Sequence, residues 1–321
     1  MSAHVAFEGF GRAGSYPRRL EDFRMRRASL VAVVVMALLA AAAPAQAVRP
    51  PVVPTRGALW GAFPNEPGGI PALQSRVGRR LAIVNRYVPW DFSNWSSISD
   101  YLRTGHLPLV SWSAAPKTTA SAIAGGSQDA VITAAARALK RAGGRVFLRP
   151  FYEFDQPPGH PRYIGTPSEV VAAWRRLANI FRAVGARNVR LVWCPMAADF
   201  HDGIAGAFYP GDRYVNWVGA DGYNFPGKTW RPFKDIFQRA YHFTYIHAKR
   251  MMIAETASPA ADPRTPRWMV GAAKWIRHHT YVHAVSYFDS TSPKGFNFRV
   301  ATNRATLAAF RAWGLRKYFH Q

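Results

Sequence analysis

The chain has 321 residues and a formal net charge of +24, with 42 Lys and Arg against 18 Asp and Glu. Its one cysteine, Cys194, excludes an intramolecular disulfide and reads as a buried, inert thiol, so stability has to come from an apolar core. The cations are scattered along helix-like segments, as in Arg137, Lys140 and Arg141 or Arg175, Arg176 and Arg182, and form no compact tract, so no nucleic-acid partner is expected.

The amino-terminal segment reads as an export signal. Arg24, Arg26 and Arg27 precede the apolar stretch 28–43, and Ala45-Gln46-Ala47 supplies the small residues that signal peptidase requires. An apolar run of about 15 residues falls short of the ~20 that span a bilayer. The expected start is Met25, with residues 1–24 as upstream sequence, and the expected location is outside the cell. Residues 1–47 carry six Arg against Glu8, Glu21 and Asp22, which leaves +21 on the remainder. A surplus of that size suits electrostatic association with an anionic cell envelope.

Residues 48–56, with Pro50-Pro51 and Pro54, read as a short lead-in. The remaining span, 57–321, is close to the ~250 residues of one (β/α)8 barrel and leaves no room for a second domain. Eight apolar runs follow in order at 57–63, 81–88, 107–112, 146–152, 189–194, 217–223, 251–254 and 283–288. Their near-continuous hydrophobicity fits parallel strands buried on both faces.

Between them, apolar residues at threes and fours predict helices over 128–142, 168–184, 233–248, 266–278 and 303–313. Thr166-Pro167-Ser168-Glu169 is a start signal, which Thr265-Pro266 repeats; Gly143-Gly144 and Gly185 are stops. This alternation predicts the α/β class, a (β/α)8 TIM barrel in a single domain. An open doubly wound sheet is the alternative, but Pro64-Asn65-Glu66-Pro67-Gly68-Gly69 after the first run matches no nucleotide fingerprint. No cofactor is implied, and the histidines, including His278-His279, show no metal-site spacing.

In such a barrel the carboxyl ends of the strands carry the chemistry. Those ends hold Trp60 and Phe63, Trp90 and Asp91, Trp112, Glu153 and Asp155, Trp193, then Asp221, Tyr223 and Asn224, then Glu255, and finally Tyr287 with Asp289. Aromatic platforms with interspersed hydrogen-bonding groups suit a saccharide, whose rings offer apolar faces and polar edges.

Glutamate is scarce beyond residue 47, where only Glu66, Glu153, Glu169 and Glu255 occur. Glu153 closes the run 145–153 and Glu255 closes 251–255, so each stands where a buried strand emerges. An ionised carboxylate there is unfavourable unless paired or put to use. Two carboxyl groups on one barrel rim can act as proton donor and nucleophile in retaining glycoside hydrolysis. The plainer alternatives are a strand-alternation ion pair of Glu153 with Arg149, and a capping role for Glu255 before Thr256-Ala257-Ser258-Pro259.

Three segments, Arg149-Pro-Phe-Tyr-Glu153, the run 209–224 ending Ala220-Asp-Gly-Tyr-Asn224, and Ile253-Ala-Glu-Thr-Ala-Ser258, together resemble glycoside hydrolase family 26, over roughly 57–320. That family consists of secreted (β/α)8 enzymes, best known as β-mannanases, that retain anomeric configuration. The resemblance implies Glu153 as acid/base, Glu255 as nucleophile, Tyr223 as hydrogen-bond donor to the nucleophile, and Arg149 and Asp221 as supports. Two departures stand out. Tyr152 occupies the place of the family's histidine before the acid/base, and Tyr287-Phe288-Asp289 replaces its tryptophan after the eighth strand.

The expected function is a secreted, monomeric, retaining hydrolase of β-linked polysaccharide. β-1,4-Mannan comes first, with mixed-linkage glucan or xylan as alternatives that the Tyr152 departure opens. Substrate contacts are expected from Tyr152, Trp60, Phe63, Trp90, Trp112, Trp193, Asn224 and Tyr287. A non-catalytic glycan- or envelope-binding protein on the same barrel is the reading of a different class.

Overall fold

The computed structural model describes residues 53–65, 67–93 and 95–320. The expected export segment, with its expected start at Met25, and most of the lead-in lie outside the described residues. Chain contacts separate Met1–Gln46 from Ala47–Gln321, and every described residue belongs to the second unit.

The elements run β1 (Ala58–Pro64), α1 (Gly69–Val77), β2 (Ile83–Val88), α2 (Ser96–Arg103), β3 (Leu107–Trp112), α3 (Ala120–Ala124), α4 (Asp129–Arg141), β4 (Val146–Pro150) and α5 (Pro167–Val184). The second half continues with β5 (Val189–Trp193), α6 (Ala197–His201), β6 (Trp217–Tyr223), α7 (Phe233–Ile246), β7 (Arg250–Ala257), α8 (Thr265–His278), β8 (Val282–Asp289), α9 (Arg304–Gly314) and β9 (Phe319–His320). The first eight strands pair in parallel, each with the next, and β1 pairs with both β2 and β8, so the barrel closes. Each expected strand forms. The two-residue β9, which adds parallel to β1 at Ala58 and Leu59, was not anticipated.

Strand alternation divides the core in two. Leu59, Ile83, Leu109, Phe147, Val192 and Met252 belong to one cluster that fills the barrel. Their chain neighbours, such as Trp60, Val84, Val110, Leu148, Trp193 and Met251, pack outward against the helices. Being buried on both faces is why these strands read as unbroken apolar runs.

The Thr166 start signal forms a capping box: the Thr166 side chain accepts from the Glu169 N–H, and Glu169 accepts from the Thr166 N–H at 2.7 Å. Gly185 ends that helix in the left-handed conformation, φ 71°. Thr265 behaves differently. It is the first residue of α8, with Arg264 at the cap, and its hydroxyl donates to the Pro259 carbonyl at 2.7 Å.

Candidate active site

At the carboxyl ends of the strands a cleft of about 920 Å3 opens, with Phe63, Tyr87, Tyr152, Tyr223 and Phe288 lining it alongside Glu153 and Glu255. Each glutamate reaches it through a local break in regular strand geometry. After Pro150 the chain leaves β4, and both Phe151 (φ 55°) and Glu153 (φ 54°) adopt left-handed backbone. Side chains at such positions are strained by roughly 1–3 kcal/mol, so surrounding structure has to hold them there. The Phe151 N–H donates to the Trp112 carbonyl at 2.9 Å and the Glu153 N–H to the Cys194 carbonyl at 3.1 Å, which ties the turn to both flanking strands.

On β7 the device is a bulge. Ala220 pairs with Ile253 but Asp221 pairs with Glu255, so Ala254 is an extra residue. Met252 and Ala254 already fill the barrel interior, and the extra residue lets Glu255 face the same side.

The alternative of an Arg149–Glu153 ion pair does not form, because residues 151 and 153 no longer follow strand alternation. Arg149, fully buried, instead pairs with both Asp221 and Glu255. Its Nη2 also donates to Ser111 Oγ at 2.7 Å, and Ser111 donates to Asn85 Oδ1 at 2.6 Å. Glu153 pairs with Arg162 from the loop after β4. The Tyr223 hydroxyl donates to Glu255, and Tyr87 hydrogen-bonds the same carboxylate. One oxygen from each of Glu153, Asp221 and Glu255 lies within 4.8 Å of the other two.

Burial opposes ionisation of Glu255, but the Arg149 guanidinium and the hydroxyls of Tyr223 and Tyr87 outweigh it and hold the carboxyl below its ordinary value. For Asp221 burial wins: it and the Glu255 charge raise the carboxyl although Arg149 pulls the other way. Cys194 sits beneath this pair, its thiol donating to Asp221 Oδ1 at 3.3 Å. Burial and the Asp221 charge push the thiol up, as befits an inert group.

No family model matches the chain. Endoglucanase H of Acetivibrio thermocellus is 31% identical over 271 residues, which are 79% of this chain and 30% of that protein, so the chain spans under a third of the relative's length. A family 26 endo-β-1,4-mannanase domain from Bacillus sp. JAMB-750 superposes with a TM-score of 0.63 at 15% identity, covering 83% of this chain and 87% of that one. A family 26 β-mannanase from Bacteroides ovatus gives 0.62 at 14% identity, covering 83% and 90%. The chain has the fold of the family 26 glycoside hydrolases. The resemblance carried by the three motifs thus extends to the whole barrel.

Within this family 26 fold, Phe63, Tyr152 and Tyr223 line the cleft with the two glutamates, and Arg149 and Asp221 lie buried beneath Glu255. The other aromatic candidates do not reach it. Trp60 packs on Phe310 at 4.6 Å between centroids, so close to α9 that a Cβ on Gly314 would come within 2.8 Å of its ring. Trp112 is buried and stacks on Trp90 at 4.4 Å, while the Trp90 indole donates to Gln128 at 2.7 Å. Trp193 stacks on Phe243 and donates to the Phe208 carbonyl at 3.1 Å. Tyr287 is buried on Phe310 and donates to the Ser258 carbonyl at 3.2 Å.

The cause is parity. Trp60, Trp112, Trp193 and Tyr287 each stand one residue from an inward neighbour, so alternation sends them to the helix side. Asn224 is a loop clamp, its carboxamide bonded to both the N–H and carbonyl of Arg231 at 2.9 and 3.1 Å. Asp91, Asp155 and Asp289 accept backbone N–H groups of Ser93, Met196 and Val300 at 2.9, 2.7 and 2.7 Å.

Tyr87, Arg162, Phe225, Phe288 and Phe296 line the cleft without having been singled out. Strict alternation would have found Tyr87, two residues beyond inward Asn85, and Phe288 rather than Tyr287. The other three lie on loops, where no periodicity marks them.

Proposed function

We propose that the chain is a secreted family 26 glycoside hydrolase that cleaves β-linked polysaccharide with retained configuration. Glu153 acts as acid/base and Glu255 as nucleophile. The observation that carries the reading is that Glu153 and Glu255 face one cleft with one oxygen of each within 4.8 Å of the other, an approach closer than an inverting pair needs. Retaining pairs stand about 5–5.5 Å apart, whereas inverting pairs need ~6.5–9.5 Å to admit water. The pattern of residues 24–47 supports export.

In the first step protonated Glu153 donates to the departing glycosidic oxygen while a Glu255 oxygen attacks the anomeric carbon, and the C–O bond to the leaving sugar breaks. Arg149, Tyr223 and Tyr87 keep Glu255 ionised for that attack. Arg162 pairs with Glu153 in its ionised form, and proton transfer to Glu153 removes the charge from that pair. In the second step ionised Glu153 takes a proton from water, which attacks the glycosyl-enzyme and frees Glu255.

β-1,4-Mannan is the first candidate substrate, on the family 26 neighbours. β-Glucan stands beside it, because the relative of 31% identity is named an endoglucanase and Tyr152 replaces the family's histidine. The test is reducing-sugar release from β-mannan, galactomannan, mixed-linkage glucan and xylan, with Glu255→Ala as control. Release that vanishes in the variant supports the reading. No release by folded protein from any of these polymers or from their uronate-bearing or sulfated forms overturns it.

A further inference from the structure

The cleft has a second wall that the proposed chemistry does not use. Phe225, in the loop after β6, and Phe296, in the loop after β8, meet at 5.9 Å between centroids, and Phe225 continues onto Tyr223 at 5.3 Å. Each loop carries one lysine into the cleft lining beside its phenylalanine, Lys228 and Lys294.

Both lysines stand on tight turns. The Lys228 N–H bonds the Phe225 carbonyl at 3.2 Å, and the segment 292–296 closes on itself through Ser292 N–H to the Phe296 carbonyl at 2.9 Å and Gly295 N–H to the Ser292 carbonyl at 2.8 Å. Among the described residues neither lysine has a carboxylate partner. The described acids of the cleft lining, Glu153 and Glu255, are already answered by Arg162 and Arg149. The wall therefore offers an aromatic face and, in the same lining, two lysines that pair with no carboxylate among the described residues.

We propose that this wall is a subsite for an anionic sugar, one carrying a uronate carboxylate or a sulfate ester, in the polysaccharide that the cleft receives. The inference rests on the glycosidase reading for its ligand class and goes beyond it in naming the charge. The sugar ring lies on the Phe225–Phe296 face, and its anionic group draws Lys228 and Lys294 from either side. A neutral polymer would bring neither ammonium group an opposite charge.

The test is calorimetric binding to the Glu255→Ala protein, which removes turnover from the readout. The probes are oligosaccharides of β-1,4-mannan and β-1,4-glucan, each unsubstituted, oxidised at C6 to the uronate, or sulfated at O6. A charged form should bind about two- to thirtyfold more tightly than its neutral parent, the range expected of two exposed ion pairs. The preference should shrink at about 0.5 M salt, where charges are screened within a few ångströms. Which form gains identifies the anion.

Lys228→Gln with Lys294→Gln should abolish the preference. Arg137→Gln with Arg141→Gln, on the exposed side of α4, should leave it unchanged and so separates the cleft from the overall positive charge. Equal binding of all forms, binding of none, or a preference that survives the cleft variant overturns the proposal. If the wild-type protein hydrolyses neutral polymers but shows no charge preference, only this inference falls. If charged ligands bind the subsite but no polymer is cleaved, whether neutral or bearing the anion that binds, the subsite stands and the glycosidase reading falls.

Discussion

Arg149 from β4 and Glu255 from β7 form an ion pair inside the barrel, with Asp221 from β6 on the same guanidinium. Burial lowers the affinity of Arg149 for its proton, but the two carboxylates more than restore it and raise the group well above its ordinary value. Removing one partner of such a pair strands the others in a low-dielectric interior, at about 3–5 kcal/mol. Arg149→Met should therefore lower the melting temperature by roughly 6–20 °C, taking the usual slope for a domain of this size. Circular-dichroism melts check it, and a change below about 2 °C would mean that Asp221 and Glu255 find other relief.

Glu255 should set the acidic limb of activity. Its carboxyl lies below the ordinary ~4.3, so its charge favours the folded state above that value, and the contribution is lost as pH falls through the lower folded value. Tyr223→Phe removes one of the hydrogen bonds that depress it. The acidic limb should then move to higher pH while kcat drops about tenfold to a hundredfold, the value of one hydrogen bond to a charged group. A rate loss with an unmoved limb would assign Tyr223 to substrate contact alone.

The outward tryptophans and the cleft phenylalanines should separate in their effects. Trp193→Ala empties a buried site among Phe154, Phe200 and Phe243 and should destabilise by about 3–5 kcal/mol. Phe225→Ala, half-buried in the cleft wall, should leave the melting temperature nearly unchanged and raise KM severalfold. Paired melts and steady-state kinetics decide, and a Trp193 variant that only raises KM would return that residue to the site.

The barrel was legible because strands buried on both faces announce themselves as apolar runs and the intervening helices carry a 3.6-residue period. The candidate site was legible where motif and geometry coincide, at Glu153, Glu255, Tyr223, Arg149 and Asp221. The aromatic ring was misread because both faces of each strand are apolar. Trp112 and inward Ser111, or Tyr287 and inward Phe288, differ only in parity, and a continuous run does not declare its register. Nor does sequence announce the left-handed turn at Glu153 or the bulge at Ala254, since neither needs a glycine here. Arg162, Phe225 and Phe296 depend on loop paths that no local rule sets.

His106, the residue before β3, should give the fold a pH dependence independent of the cleft. Its ring is packed between Gln74 Oε1 and Thr104 Oγ1, at 3.0 Å each, near the amino end of its strand, the end that in such barrels serves stability. Burial first, then the Arg80 charge, lowers its pKa to about 4. The unfolded chain takes up this proton near pH 6.5 whereas the folded chain stays neutral, so between those values the unfolded state binds more protons. Stability should then fall as the pH drops through that window. Melts at about pH 7, 5.5 and 4.5 should show the wild type losing a few degrees relative to His106→Gln, a difference from which the raised carboxyl of Asp221 cancels because both proteins carry it, with activity on any substrate retained. A wild-type protein whose melting temperature follows pH as the variant's does would mean that His106 contributes none of the dependence.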